Sequence, residues 1–302
     1  MKHLNILITG SDGFIGKHIC RTIIKSHPEF NIFGVGRNKD VYSADYKYIS
    51  CDLLNIEDIK KLPNKIDIII HLAGDARSFI DPLENSSQEV SNFIMTSNIS
   101  DYAIKIGVKL IIFASSVYVY SGNLAPFSEK NIPAPIENLG KSKLKAENLL
   151  KSIAFAGYYK SISLRLFTVY GLGSNERQFI PQAIKKINSS NSTLTFHSAD
   201  IIRDFIYIDD VVKAFISSIK QIDFNFTYEV FNIGTGTGTS IREIISLLLN
   251  KLNSKKEIKF TKNTINIDSN HIANIDYARK ILNWKPNIRL NDGLEKIISF
   301  SS

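Results

Sequence analysis

The chain has 302 residues, of which 44% are hydrophobic and 22% charged, as is typical of a folded protein with a large core. It has no apolar run of 18 or more residues and no signal-peptide pattern, so we expect a cytoplasmic protein without membrane insertion. The net charge of +8 comes from scattered lysines without a nucleic-acid motif, so we expect no nucleic-acid partner.

The first predicted strand, Asn5–Thr9, ends in a turn whose glycines follow the spacing G-x-x-G-x-x-G before a helix begins. Gly10 allows the tight turn, Gly13 lets backbone N–H groups approach a pyrophosphate, and Gly16 lets the helix pack closely on the strand. The helix N-terminus adds free N–H groups and a partial positive charge. The turn therefore predicts a dinucleotide site. Its predicted cofactor-binding residues are Gly10, Gly13, Phe14, Ile15 and Gly16.

Strand-like and helix-like segments alternate through the first two thirds of the chain. The predicted strands are Asn5–Thr9, Asn31–Gly36, Tyr48–Ser50, Ile66–Leu72, Lys109–Ser115 and Ser161–Leu166. The predicted helices include Gly16–Ser26, Asp58–Leu62, Ser86–Ile106 and Gly140–Ala156. Continuous apolar strands that alternate with helices indicate a parallel sheet covered on both faces. We therefore predict an α/β fold, a Rossmann-type doubly wound sheet with a small mixed C-terminal lobe.

The pattern of predicted elements changes after about residue 170, where short strands, helices and Asn/Ser-rich turns mix. We predict a dinucleotide-binding domain at 1–170 and a mainly substrate-binding lobe at 171–302. The segments near 203–219 and 230–236 are expected to return to the first domain, so that the two lobes interleave. No internal repeat or low-complexity segment occurs.

The ends of the next strands indicate how the adenosine half of a cofactor is bound. Arg37 follows the second strand, where NAD-binding folds carry an acidic residue, and its cation suits a 2′-phosphate. This favours NADP(H), while NAD(H) stays possible if Arg37 stacks on adenine or faces solvent. His71 is expected to be a buried, hydrogen-bonded residue and not a catalyst. The predicted cofactor contacts after the third and fourth strands are Asp52, Leu53, Leu72, Ala73 and Gly74.

Two further segments lie where a dinucleotide enzyme acts, because Ser115–Tyr120 ends the fifth strand and Leu139–Lys143 opens a helix. Together with the glycine turn they resemble the extended short-chain dehydrogenase/reductase family of NAD(P)-dependent nucleotide-sugar epimerases, dehydratases and reductases. The resemblance runs the whole length of the chain. Its other motifs are His71-Leu72-Ala73, Val169-Tyr170-Gly171, Arg203–Asp210, Asn232–Gly236 and the segment from Asp276 to Pro286.

The resemblance implies that Ser116 orients the substrate oxygen and that Lys143 holds the nicotinamide ribose. In the family a tyrosine four residues before the lysine is the general acid and base. Here position 139 is Leu, which has no proton to give or take. Three hypotheses stay open: another group, best Tyr118, donates the proton; catalysis is lost; or substrate or water supplies the proton and turnover is slow. Tyr118 could also be a packing aromatic.

The resemblance also predicts the substrate side of the site. Arg203 is placed at the substrate diphosphate, and a structural ion pair with Asp204 or a neighbour is the alternative. Thr168 stands where many relatives carry an asparagine that contacts substrate, and Arg177 follows in a loop that could line the nucleotide pocket. The stretch Asn263–Asp268 lacks an arginine that many relatives carry, so one phosphate contact is expected to be missing or supplied from elsewhere.

Val117 and Tyr118 occupy the positions of the Asp-Glu pair of the family's 4,6-dehydratases, so that elimination is not expected. The leading hypothesis is an NADPH-dependent reductase of a nucleotide-linked keto-deoxysugar in surface-polysaccharide biosynthesis, since Arg37 favours NADPH and NADPH suits net reduction. One alternative is a nucleotide-sugar 4-epimerase with tightly held NAD. The other is a catalytically silent nucleotide-binding member of the family.

No metal site is predicted, because the histidines are isolated and the two cysteines lie far apart in sequence. Cys20 and Cys51 are expected to be buried free thiols, which fits a reducing compartment. The resemblance implies a homodimer formed by Ser86–Ile106 and Gly140–Ala156. The apolar residues that suit such an interface, and that helix packing explains equally well, are Phe93, Met95, Leu149 and Phe155.

Overall fold

The computed structural model describes residues 3–39, 41, 43, 45–76, 82–122, 125–190, 193–197, 199–261 and 270–301. Strands β1 to β7 are Asn5–Thr9, Asn31–Gly36, Lys47–Ser50, Ile68–His71, Leu110–Ser116, Lys160–Leu166 and Thr168–Tyr170. Strands β8 to β13 are Thr193–His197, Ile202–Arg203, Phe205–Tyr207, Tyr228–Ile233, Thr239–Ser240 and Glu257–Thr261. Helices α1 to α9 are Phe14–Ser26, Ile56–Ile59, Pro82–Ile106, Asn138–Phe155, Phe179–Ile187, Ile208–Ile219, Ile241–Lys251, Asp276–Leu282 and Leu290–Ser301.

Seven strands form one parallel sheet in the order β3-β2-β1-β4-β5-β6-β11. The chain winds outward from β1 to β3, then returns to β4 beside β1 and winds the other way. This confirms the predicted doubly wound α/β fold. In such sheets ligands bind at the carboxyl ends of the strands where the winding reverses, which is here between β1 and β4.

Both faces of the sheet are covered, which is why its strands read as continuous apolar runs. Along β1 alternate side chains enter opposite cores: Ile6 and Ile8 belong to the larger cluster and Leu7 to the smaller. The larger cluster contains residues of α1 and α6, which pack against each other. The smaller cluster lies under α3 and α4. The division into domains at residue 170 stays a prediction.

The predicted strands Asn5–Thr9 and Asn31–Gly36 are confirmed, and the other four differ from the structure by at most two residues at either end. The predicted helix Asp58–Leu62 is wrong in position, because the helix there is Ile56–Ile59. Its start is fixed by Asn55, whose side-chain oxygen accepts the Glu57 N–H at 3.0 Å and so caps the first turn.

Cys20 and Cys51 are buried free thiols, as predicted. Burial raises the pKa of Cys20 to about 12 and that of Cys51 to about 11, so that both stay protonated and unreactive at neutral pH. Within the described ranges, no group of three or more His, Cys, Asp or Glu side chains could hold a metal ion. No described helix is both long enough and apolar enough to cross a membrane.

Candidate active site

The glycine turn lies at the carboxyl end of β1, against the end of β4. Gly10 has a φ of +68°, and a Cβ there would lie 3.0 Å from the Ala73 backbone nitrogen. A Cβ at Gly16 would collide with the Gly10 carbonyl, so that this glycine lets α1 begin directly on the turn. Gly13 is the exposed N-cap of α1, so no side chain of the N-cap residue occupies the N–H groups at the start of this helix. The first N–H groups of α1 therefore suit a phosphate, and the turn fits a dinucleotide.

His71 joins β4 to its neighbours inside the core. It is fully buried, with Nδ1 2.7 Å from Thr9 Oγ1 and Nε2 3.2 Å from Thr96 Oγ1. Burial lowers the pKa of His71 to about 3, so the ring is neutral. Thr9 Oγ1 also accepts the N–H groups of Leu72 and Ala73 at 3.2 Å each, which fixes the strand end predicted to face the cofactor.

The adenosine end of the predicted site presents both a cation and a carboxylate. Arg37 is exposed directly after β2. Asp12, from the glycine turn, lies directly against Gly36, because a Cβ built on Gly36 would collide with the Asp12 carboxylate. Tyr48 Oη donates to Asp12 Oδ2 at 3.4 Å. The sequence analysis missed Asp12 because the pairing of β1 with β2 decides which residue of the turn reaches Gly36.

Asp52 and Leu53 follow β3 as predicted, and both are held by local hydrogen bonds. Asp52 Oδ1 accepts the Leu54 N–H at 3.0 Å. The Leu53 side chain is buried in the smaller cluster, and its carbonyl accepts from Asn98 Nδ2 at 2.7 Å. Their contact with adenine stays a prediction.

Lys143 reaches the carboxyl ends of β4 and β5 from the first turns of α4. It is 7% exposed, its Nζ donates to the Ala114 carbonyl at 2.8 Å, and it lies 4.7 Å from the centre of the Phe113 ring. A Cβ on Gly74 would lie 3.6 Å from Nζ. Burial lowers the pKa of Lys143 to about 8, so that it still carries its proton at pH 7.

A buried ion pair lies one helical turn beyond Lys143. Arg165 donates to both carboxylate oxygens of Glu147, from Nη2 at 2.6 Å and from Nε at 3.0 Å. Ser115 Oγ also donates to Glu147, and Arg165 Nη1 donates to Tyr120 Oη at 2.8 Å. These bonds fasten α4 to β5 and β6. They therefore fix Lys143 relative to the end of β5, where Ser116 lies.

Position 139 lies in the first turn of α4, where Leu139 is 4% exposed. A Cβ at Gly140 would collide with the Tyr118 carbonyl, so this turn of α4 lies directly against the 3₁₀ turn Val117–Val119. Ser116 Oγ caps that turn by accepting the Tyr118 N–H at 3.3 Å. The structure thus brings Ser116 and Tyr118 beside the helix turn that lacks the family's tyrosine.

Tyr118 packs against a residue from the C-terminal part of the chain. Its ring packs edge-on against that of His271, with 5.3 Å between ring centres. Burial lowers the pKa of Arg203, and the charges of Tyr118 and Glu137 oppose this effect. The sequence analysis missed His271, which is distant from Tyr118 in the sequence.

Arg203 and Asp204 form no ion pair with each other, whereas an ion pair of Arg203 with another neighbour stays a prediction. The Asp204 carboxylate is fully buried and accepts the backbone N–H groups of Thr235, Gly236 and Ala273 at 2.7, 2.9 and 3.1 Å. Asp204 therefore ties the loop after β11 to the segment that contains Ala273. Arg203 Nη1 donates to the Ile202 carbonyl at 3.0 Å.

Thr168 and Arg177 lie between β6 and α5. Thr168 is half-buried at the start of β7, and its N–H donates to the Asp204 carbonyl at 2.9 Å. Arg177 is exposed before α5, with its N–H donating to Asn175 Oδ1 at 2.9 Å. Their substrate contacts stay predictions. The stretch 263–268, expected to lack a phosphate contact, lies outside the described residues.

A separate open cavity of about 450 Å³ lies at the opposite, amino ends of β5 and β6. Two lysines line it, and both are already engaged. Lys160 Nζ donates to the carbonyls of Ile222 and Phe224, and Lys109 pairs with Asp67 at 2.6 Å. This cavity is therefore not part of the candidate site.

The profile of the NAD dependent epimerase/dehydratase family matches residues 6–234, from β1 to just beyond β11. The chain belongs to this family. Its members are NAD-dependent nucleotide-sugar epimerases, dehydratases and reductases, so the predicted family is confirmed. The match spans both the glycine turn and the helix that carries Lys143.

Individual relatives cover nearly the whole chain. The dTDP-4-dehydro-6-deoxyglucose reductase of Escherichia coli is 31% identical over 97% of this chain and 96% of its own. The UDP-glucuronate 4-epimerase of Thermodesulfobacterium geofontis is 30% identical over 98% and 95%. The structure resembles that of UDP-glucuronic acid 4-epimerase from Bacillus cereus in complex with UDP-glucuronic acid and NAD, at a TM-score of 0.88, 26% identity and 98% of each chain. It also resembles UDP-glucose 4-epimerase from Thermotoga maritima with UDP-glucose, at a TM-score of 0.88, 25% identity, and 99% and 98% of the two chains.

Proposed function

We propose that the protein is an NAD(P)H-dependent reductase of a nucleotide-linked keto-deoxysugar. The observation that carries the proposal is that Lys143 lies buried at the ends of β4 and β5 while position 139 holds a buried leucine. A 4-epimerase must first remove a proton from a sugar hydroxyl and later return one, whereas reduction of a ketone needs only a proton donor. Tyr118 carries a phenolic O–H group, which is the proposed proton donor.

Each predicted site residue has a separate role in such a reduction. The reduced nicotinamide supplies a hydride when the cofactor is bound. Ser116 orients and polarises the ketone oxygen, and Tyr118 donates the proton to it. Lys143 holds the nicotinamide ribose. Arg203 contacts the substrate diphosphate, Thr168 contacts the substrate, and Arg177 lines the nucleotide pocket.

We propose a preference for NADP(H) because Arg37 offers its cation directly after β2, where a 2′-phosphate would lie. NAD(H) is the second candidate, since the Asp12 carboxylate beside Gly36 suits ribose hydroxyls. A tightly held NAD would also favour the second candidate function, a nucleotide-sugar 4-epimerase like the Bacillus cereus and Thermotoga maritima proteins.

Mass spectrometry of the purified protein is expected to find no retained NAD, because a reductase must exchange its cofactor at every turnover. Fluorescence titration is expected to show tighter binding of NADPH than of NADH. Arg37→Ala should weaken NADPH binding about tenfold or more and leave NADH binding unchanged, since a charge-assisted contact is lost. The exposed, remote Arg242→Ala is the control. Retained NAD contradicts the reductase, and equal binding of both cofactors by wild type and Arg37→Ala contradicts the NADP(H) preference.

Leu139→Tyr is expected to give no gain in turnover, because the proposed proton donor is Tyr118 and because buried Leu139 already occupies the space at position 139. Inserting a larger ring into a packed site costs typically about 1–3 kcal/mol of unfolding free energy. Turnover of dTDP-4-dehydro-6-deoxyglucose with NADPH, and urea unfolding, check both parts. Leu139→Phe is the matched control, because it adds the ring without the hydroxyl. A large gain with Tyr and not with Phe, from a near-zero start, would show instead that this chain has lost catalysis.

We also propose that the protein works in the cytoplasm, in surface-polysaccharide biosynthesis, as a homodimer that pairs α3 and α4 of two subunits. The two helices pack side by side within one subunit. Among the apolar residues predicted for the interface, Phe155 is 66% exposed, whereas Phe93, Met95 and Leu149 are partly buried. Val90 and Ile94 of α3 add to the exposed apolar surface.

A further inference from the structure

Four side-chain rings from two separate parts of the chain form a continuous aromatic row, in the order Tyr120, Phe127, His271 and Tyr118. The first two rings are parallel, with 4.8 Å between their centres and 3° between their planes. The Phe127 ring lies 6.2 Å from that of His271, which lies 5.3 Å from the Tyr118 ring and at 86° to it. These are the separations of contacting aromatic pairs. Tyr118 is partly buried, whereas the other three rings are at most 3% exposed.

We propose that the aromatic row positions the Tyr118 hydroxyl for proton transfer, with His271 as the positioning residue. The proposal rests on the proposed reductase function. In that reaction the ketone carbon gains a hydride from the reduced cofactor, which is oxidised, and the ketone oxygen takes the proton of Tyr118 Oη. The phenolate then regains a proton from solvent water, so that one hydride and one proton are consumed for each hydroxyl formed. The donor must lie within hydrogen-bond reach of the oxygen, and a misplacement of about 1 Å costs about 100-fold in rate.

Hydrogen bonds fix the buried end of the row. Tyr120 Oη accepts from Arg165 Nη1 at 2.8 Å and donates to Asn232 Oδ1 at 2.9 Å. The Arg165 guanidinium also lies 4.8 Å from the centre of the Tyr120 ring. Arg165 is the residue whose ion pair with Glu147 fastens the helix that carries Lys143. The proposed proton donor and the lysine proposed to hold the nicotinamide ribose therefore share one buried support.

Backbone hydrogen bonds hold the middle of the row. The Phe127 N–H donates to the Ile272 carbonyl at 2.7 Å, and the Phe127 carbonyl accepts the Asn274 N–H at 2.7 Å. The His271 N–H donates to the Ile202 carbonyl at 3.1 Å. The main chain is therefore fixed on both sides of the contact between the Phe127 and His271 rings.

His271 acts on Tyr118 through the shape of its ring and not through a charge. Its side chain is 2% exposed, and burial lowers the pKa of His271 to about 3, so that the ring is neutral at pH 7. The backbone at Tyr118 belongs to the 3₁₀ turn Val117–Val119. This turn leaves the side-chain torsions of Tyr118 to be selected among their staggered minima by contacts. The contact with His271 therefore restricts the direction in which the Tyr118 hydroxyl points.

The test is a double-mutant cycle between positions 118 and 271, measured as steady-state reduction of dTDP-4-dehydro-6-deoxyglucose with NADPH. His271→Leu removes the planar ring and is expected to lower kcat about tenfold or more, with KM within about threefold of wild type. His271→Phe keeps a ring and is expected to keep kcat within about threefold. Tyr118→Phe is expected to lower kcat about 100-fold or more. In the Tyr118→Phe background, His271→Leu is expected to lower kcat by less than about twofold further, since no hydroxyl remains to be positioned.

Phe215→Leu is the matched control, because Phe215 is a fully buried ring of the larger cluster and lies outside the row. It is expected to lower the free energy of unfolding, as a core substitution does, and to leave kcat unchanged. Equal losses of kcat from His271→Leu in the wild-type and Tyr118→Phe backgrounds would show that His271 has a structural role alone, and would overturn the proposal.

A second readout needs no substrate. Fluorine NMR of protein labelled with fluorotyrosine follows the Tyr118 ring, whose signal is the one absent from Tyr118→Phe. His271→Leu is expected to shift this signal, because the neighbouring ring is removed, and to leave the signal of exposed Tyr158 in place. An unmoved Tyr118 signal overturns the positioning by His271 and leaves the reductase standing. Absence of wild-type turnover with every keto-sugar nucleotide tried, with NADPH and NADH, overturns the reductase and with it the role of the row in proton transfer.

Discussion

Replacing Glu147 by alanine is expected to lower the free energy of unfolding by about 3–5 kcal/mol, because Arg165 would keep a buried charge without a counter-ion. The two side chains are only 3% and 5% exposed, and Arg165 makes two hydrogen bonds to the carboxylate. Ser115 would lose its partner as well. Denaturant unfolding at pH 7, extrapolated linearly to water, measures the loss.

Two controls separate the buried charge from the lost contacts. Removing both partners in the Glu147→Met, Arg165→Met double variant is expected to recover most of the stability, since no unpaired charge remains. Glu89→Ala removes the carboxylate of a partly exposed ion pair with Lys145 and is expected to cost at most about 1 kcal/mol. A loss from Glu147→Ala as small as that from Glu89→Ala would contradict the prediction.

Lys143→Met is expected to lower turnover about 100-fold, because the nicotinamide ribose loses the side chain proposed to position it, and yet to stabilise the protein at pH 7. The folded pKa of Lys143 is about 8, against an ordinary value of 10.5, because the ammonium is buried. At 1.36 kcal/mol per pKa unit, holding this cation in the core costs about 3 kcal/mol below pH 8. Methionine removes that cost but leaves the Ala114 carbonyl without its donor, at about 1 kcal/mol. The expected net gain at pH 7 is therefore about 2 kcal/mol.

The stability difference between Lys143→Met and wild type is expected to depend on pH. Between pH 8 and 10.5 the unfolded chain holds the Lys143 proton more firmly than the folded chain does, so wild-type stability rises with pH across this window. The advantage of Lys143→Met should therefore shrink from pH 7 toward pH 10, where unfolding is measured again. The exposed Lys145→Met is the control and should show no such trend. Equal or lower stability of Lys143→Met at pH 7 would show that burial of this ammonium is not costly.

The dinucleotide fold could be predicted because its signals are local. The glycine spacing from Gly10 to Gly16 and the apolar run Asn5–Thr9 are each read within a few residues, and they set the turn, the strand and the helix start. The substitution at position 139 is also plain in the sequence, since the motif around Lys143 is contiguous. The error at the helix Ile56–Ile59 has a local cause too, because the Asn55 cap outweighed the apolar pattern.

Thus the sequence by itself determined the fold class, the family and the absence of the expected proton donor at position 139, because each depends on spacing along the chain. The tertiary structure decided which side chains lie near one another around the predicted site. It placed His271 against Tyr118 and put Asp12 next to Gly36. The physical reason is that these neighbours come from strand ends and loops that only the register of the parallel sheet and the folding of the C-terminal lobe bring together.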